Sequence, residues 1–259
     1  MDDVLASGVR DWFLAYVDRF RSEGDLAPMQ QLKLDHSLRV AEAAEALAGQ
    51  EGWSAAAVRL ARATGLLHDV GRFPQFAQYG TFADRHSVDH ARLGCEVLQA
   101  EDALAPLDPA AARALADAVR YHNCLTIPTD LPRESLPLVR LTRDADKLDI
   151  YRVVLDSITS GAARRHPEIL VGVDLDGPAG PAVVADVAAG RMASHHDVHS
   201  MADYLLLMAG WVYDINYPAT MHELRRRGTL ETMAELLPDQ TEVRAALACV
   251  TAERDRRTA

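Results

Sequence analysis

The sequence predicts an all-α fold: a helical bundle of the kind that gathers a polar site in its interior, with additional helices towards the C-terminus. Three observations predict it. Apolar residues recur at helical spacing through most of the chain, no βαβ alternation appears, and helix start and stop residues punctuate the periodic stretches.

The elements follow in order. Residues 3–21 carry Trp12, Phe13, Tyr16, Val17 and Phe20 at helical spacing. Residues 29–50 place Leu32, His36, Val40, Ala43 and Leu47 on one face. Ser54 caps a third helix that runs to His68, with Leu60, Thr64 and His68 aligned. Gly71 and Pro74 end that helix, and residues 73–84 read as an irregular, aromatic-rich loop. A helix over 86–99 aligns His86 and His90 with Leu93 and Val97, and one over 109–122 aligns Leu115, Val119 and His122. After Pro128 and Pro132, residues 134–160 form a helix carrying Asp144, Asp146, Lys147 and Asp149. Glycines and prolines break the period over 161–199, with a short extended piece near Ile169–Val173. Residues 200–216 and 238–253 are helical, and 218–236 is helical in parts.

The expected organisation is one domain over 1–259, with a core at about 30–155 and a helical extension at about 161–259. Tyr204, Leu205, Met208, Trp211, Val212 and Ile215 form a broad apolar face that would pack on the N-terminal bundle.

Composition narrows the function. A net charge of −11 opposes binding to long nucleic acid but not a small phosphorylated substrate. No apolar run reaches the ~18 residues of a membrane span. The chain starts Met1-Asp2-Asp3, and Cys95, Cys124 and Cys249 are odd in number and far apart; the expectation is a reducing cytoplasm. The triplet His195, His196 and His199 lies in the irregular part and reads as exposed.

The chemistry centres on Gly65-Leu66-Leu67-His68-Asp69-Val70-Gly71-Arg72. Adjacent side chains on a helix point about 100° apart, so His68 and Asp69 flank one point only near a helix end. His36, His68, Asp69, His90, His122 and Asp146 come from different helices or helix ends. Inward-facing polar residues of a bundle converge on one interior site. Four imidazoles and two carboxylates exceed one tetrahedral ion and suit two divalent transition ions: Mn, Fe, Co, Ni or Zn.

This ordered set resembles the HD-domain metal-dependent phosphohydrolase superfamily over roughly residues 30–155. His36, the doublet in His-Asp-Val-Gly-Arg-Phe, and Asp146 in Asp-Ala-Asp-Lys-Leu-Asp carry the resemblance. His90 in Asp-His-Ala-Arg-Leu-Gly and His122 in Tyr-His-Asn resemble the two further histidines of binuclear members. The Gly-Tyr-Pro signature of cyclic-dinucleotide phosphodiesterases is absent, which argues against such a substrate. The resemblance implies hydrolysis of a phosphoester of a small metabolite, a nucleotide foremost, by a metal-activated hydroxide. A di-iron oxygenase and a non-catalytic nucleotide-sensing module are the alternatives. Asp69 would bridge the ions, and it and His68 are the catalytic candidates. Arg72 and Lys147 are either phosphate partners or structural ion pairs. His86 competes with His90 as a ligand or binds substrate, and Asp144 and Asp149 compete with Asp146; fit to the family segment favours His90.

Overall fold

The computed structural model describes residues 2–166, 170 and 173–259. Among them it is helical, without a β-sheet. The chain divides into two compact units, 1–149 and 150–259.

In the first unit, α1 (Asp2–Asp18), α2 (Pro28–Gln50) and α3 (Ala55–Leu67) start the bundle. α2 opens with a proline in its first turn, where no intrahelical N–H bond is lost. The Ser54 hydroxyl accepts from the Ala57 amide and caps α3. α4 (Arg72–Tyr79) follows, then α5 (His90–Ala100), α6 (Pro109–Tyr121) and α7 (Leu136–Thr159), which runs across the unit boundary. α2 packs on α3 and α4, α3 also on α1 and α6, and α5 on α4 and α6. Phe13, Val40, Leu67, Phe73, Leu115 and Val119 are buried in this core.

Two local expectations are corrected. Residues 72–79 are a helix and not a loop. Pro74 sits in its first turn, where amides have no intrahelical acceptor, so it interrupts nothing. Gly80, left-handed at φ 65°, ends it. The helix expected from His86 begins at His90, because Asp89 caps it by accepting from the Ala91 and Arg92 amides. His86 lies in a separate 3-10 turn over Asp84–His86.

The second unit holds α8 (Ala162–Arg165), α9 (Pro181–Ala188), α10 (Met201–Gly210), α11 (Pro218–Arg226), α12 (Thr229–Leu236) and α13 (Thr241–Thr258). α9 falls inside the stretch expected to be irregular. The extended piece expected near Ile169–Val173 lies mostly outside the described residues. α10 is buried on every side from Ala202 to Gly210, which explains its near-continuous apolar sequence. Asp203 interrupts that run to form a capping box with Ser200, and it also accepts from the Gly180 and His199 amides. No helix among the described residues is long and apolar enough to cross a membrane.

Candidate metal centre

Two close approaches between helices build the site. A Cβ on Gly65 would lie 2.8 Å from the Val40 carbonyl oxygen, so a bare glycine lets α3 press on α2 and brings His68 to His36. A Cβ on Gly71 would lie 2.2 Å from the His90 carbonyl oxygen and 2.5 Å from the Gly94 nitrogen. The turn after α3 therefore rests on the first turns of α5, which brings Asp69 to His90.

Six polar side chains meet there. His36 Nε2 lies 3.2 Å from His68 Nε2 and 3.1 Å from Asp146 Oδ1. His68 Nε2 lies 3.5 Å from the same Asp146 oxygen. His90 Nε2 lies 3.0 Å from His122 Nε2. Asp69 stands between the pairs. Its Oδ2 is 3.7 Å from His36 Nε2 and 3.6 Å from His68 Nε2. Its Oδ1 is 3.3 Å from His90 Nε2 and 3.6 Å from His122 Nε2. The four imidazoles and Asp69 are buried, and the Asp146 side chain keeps 15% exposure.

The outer nitrogens fix the tautomers. His68 and His122 are the residues at the C-terminal ends of α3 and α6. Their Nδ1–H groups donate to the carbonyls of Gly65 at 2.7 Å and Val119 at 2.8 Å, three residues back. A carbonyl only accepts, so those protons must be on Nδ1. His36 Nδ1 donates to Asp149 Oδ2 and His90 Nδ1 to Asp84 Oδ2, each at 2.7 Å. Both carboxyls are held ionised. Burial works to raise the Asp84 pKa, but the His90 hydrogen bond and Arg72 bring it down to about 2. Burial likewise opposes ionisation of Asp149, and His36 and Arg39 outweigh it.

With all four protons outward, the Nε2 lone pairs face one another, which is repulsive unless a cation or an added proton lies among them. Two nitrogens bound at about 2.1 Å to one ion, about 90–109° apart, are separated by about 3.0–3.4 Å. The observed pairs at 3.2 and 3.0 Å fit that spacing. The donor set of neutral imidazoles and ionised carboxylates therefore fits divalent transition metals. Two helix C-termini at the site add favourable dipoles for a cation. His36 shows the proton alternative. Burial and Lys33 lower its pKa, yet hydrogen bonds to Asp146 and Asp149 win and raise it. Burial also works against ionisation of Asp69, but Lys33, His68 and Arg72 hold it well below the usual carboxylate range.

The remaining candidates divide. Arg72 reaches the site: its Nη1 donates to Asp84 Oδ1, Gln75 Oε1 and the Phe82 carbonyl, and its Nε is 3.4 Å from Asp69 Oδ1. Lys147 is buried on α7, and Asp144 is fully buried but belongs to none of the metal-competent groupings among the described residues. His86 is exposed, and its Nε2 accepts from Arg85 Nε at 3.0 Å. His195, His196 and His199 are exposed and belong to no such grouping either. The grouping of Asp84, Asp89 and His90 has its carboxylates engaged elsewhere: Asp89 caps α5 and pairs with Arg120.

Several residues at the site escape sequence reasoning. Lys33 and Arg39 lie three positions either side of His36 on its helix face, so spacing contains the signal. Lys33 Nζ donates to Asp69 Oδ2 at 2.7 Å, and Arg39 grips both Asp149 oxygens at 2.6 and 2.9 Å. Asp84 has no such signal, because a loop delivers it to His90.

A family model matches residues 34–151, the stretch that supplies all six converging side chains, and its description is HD domain. Residues 34–151 are an HD domain. HD-domain proteins bind divalent metals and are mostly metal-dependent phosphohydrolases, so metal-dependent hydrolysis is the general activity of the match. No curated protein and no solved structure matches the chain.

The HD domain separates His86 from His90 by a direct test. His90→Ala should lower bound metal per chain, because it removes one of the Nε2 groups facing Asp69 Oδ1. His86→Ala should leave metal content unchanged. Elemental analysis of both variants checks this, and the opposite pattern would assign the ligand to His86.

Proposed function

We propose that this HD domain cleaves a phosphoester of a small phosphorylated metabolite, a nucleotide foremost, with two divalent transition-metal ions. His36, His68, Asp69 and Asp146 would hold one, and Asp69, His90 and His122 the other. One observation carries the reading: Asp69 turns Oδ2 to one pair of imidazoles and Oδ1 to the other. Such ions supply Lewis acidity towards phosphate oxygens and lower the pKa of water.

The chain's own residues do the rest. Asp149 and Asp84 hold the His36 and His90 Nδ1 protons outward, and the Gly65 and Val119 carbonyls do the same for His68 and His122. Arg39 and Arg72 fix those two carboxylates in turn. Such outer partners raise ligand basicity and set ring orientation. Burial of the four rings excludes bulk water and strengthens every charge interaction at the site. Arg72, beside Asp69, adds positive charge for an anionic substrate.

The test is a panel of nucleotides, cyclic nucleotides and sugar phosphates offered to the protein reconstituted with Mn, Fe, Co, Ni or Zn. Phosphate or phosphomonoester release that is lost on chelation and restored by metal is the expected result. No hydrolysis with any metal, or hydrolysis indifferent to chelation, would overturn the reading.

A further inference from the structure

Lys33 lies one helical turn before His36 on α2, and Asp69 Oδ2 accepts from its Nζ at 2.7 Å. The Lys33 side chain keeps 17% exposure where Asp69 keeps 3%, so a partly exposed side chain carries the ammonium to a buried carboxylate. Arg72 stands at the other oxygen, and its buried Nε makes no hydrogen bond. Both cations lie 5.7 Å from the centroid of the Phe82 ring. One aromatic ring and one carboxylate thus hold two positive groups at the edge of the site.

The two cations differ in how they are held, Arg72 by three acceptors on one arm of its guanidinium and Lys33 by a single carboxylate oxygen. The Arg72 Nη1 is used by Asp84, Gln75 and the Phe82 carbonyl. An ammonium carries three donors, and the Asp69 oxygen takes one from Lys33. The charge balance points the same way. Arg39 neutralises Asp149 and Arg72 pairs with Asp84, which leaves Asp69 and Asp146 as the carboxylates available to cations at the centre. Two divalent ions would exceed that charge, and Lys33 would add to the excess. A surplus of positive charge beside partly exposed side chains suits an anion.

We propose that Lys33 holds the phosphoryl group of the substrate and is not a support for Asp69. The inference rests on the metal-dependent phosphohydrolase reading and adds a substrate-binding residue to it. A compact ammonium suits a tetrahedral dianion, because it donates to phosphate oxygens without a fixed plane. The alternative, a prop for the carboxylate, makes the opposite prediction about metal. An ammonium on Oδ2 and a divalent ion draw on the same negative charge, so removing an anion-holding Lys33 leaves metal binding equal or stronger. Removing a prop weakens it.

The experiment measures inorganic phosphate binding by calorimetry to Mn-loaded wild type, Lys33→Met, Lys33→Gln and Lys33→Arg, with Mn affinity and Mn content of each. Lys33→Met and Lys33→Gln should weaken phosphate binding about 10- to 100-fold, the loss of one charge-assisted hydrogen bond. Lys33→Arg should recover most of it. Mn affinity should equal or exceed wild type throughout. Unchanged phosphate affinity in Lys33→Met or Lys33→Gln, or lower Mn affinity in either, overturns the inference and leaves the metal-centre reading standing. A wild type that binds Mn but no phosphate also overturns it. A wild type that binds no Mn overturns the metal-centre reading, and this inference falls with it.

Discussion

Replacing Asp69 by asparagine should strip most of the bound metal and lower hydrolysis by more than the ~10²–10³-fold typical of losing a single transition-state donor. The substitution keeps the volume and removes the charge. It acts on both halves of the site at once, because one Asp69 oxygen faces His36 and His68 and the other faces His90 and His122. Alanine is the poorer choice, since it would leave Lys33 and Arg72 beside an empty space and add a stability loss. Elemental analysis, phosphate release and a thermal unfolding curve should be read together. Metal content equal to wild type in a folded Asp69→Asn protein would remove Asp69 from the bridging position. Acid should reproduce part of the effect. The His36 pKa is raised above its ordinary value, so protons should compete with metal for its Nε2 at a higher pH than at an ordinary imidazole, and metal should be released as pH falls.

Gly71→Ala should be the most destabilising single-methyl change in the HD domain, at about 3 kcal/mol. The added carbon would meet the His90 carbonyl oxygen at 2.2 Å and the Gly94 nitrogen at 2.5 Å. Both are backbone atoms, so no side chain can rotate away. The turn after α3 has to lift from α5, which widens the gap between Asp69 and His90 and lowers metal affinity as well as stability. Gly80→Ala is the control. Gly80 has a left-handed backbone at φ 65° but no neighbour within 4 Å, so its cost is backbone strain alone, about 1–2 kcal/mol, with metal content preserved. Denaturant unfolding and metal analysis on both variants check the contrast. A Gly71→Ala protein with the wild-type midpoint and full metal would show that this close approach does not position the site.

The same glycine shows where sequence reading stops. Its neighbours in sequence mark it as a helix stop. Its larger constraint comes from Gly94 and His90, more than eighteen residues away, and no local pattern announces them. Pro74 misleads for a related reason. It reads as a breaker, but a proline in a first helical turn removes no hydrogen bond, and only the preceding turn shows that α4 starts at Arg72. His86 and His90 look alike by spacing. The Asp89 cap, a tertiary arrangement supported by Arg120 from α6, starts the helix at His90 and leaves His86 outside it.

The sequence by itself determined the all-α class and the helices of the HD domain other than α4 and the first turn expected of α5, because burial of an apolar face imposes a 3.6-residue period that local composition must carry. It also placed His36, His68, His90 and His122 on apolar faces or at their ends, where the same period directs them inwards. Tertiary structure alone decided which atoms meet. It turned Nε2 and not Nδ1 of each ring to the centre, gave Asp149 and Asp84 the outer nitrogens, and set Lys33 on Asp69. These are contacts between residues up to 113 positions apart. Their geometry follows from how closely helices pack, and that depends on the absence of a methyl group at Gly65 and Gly71, which no hydrophobic period records.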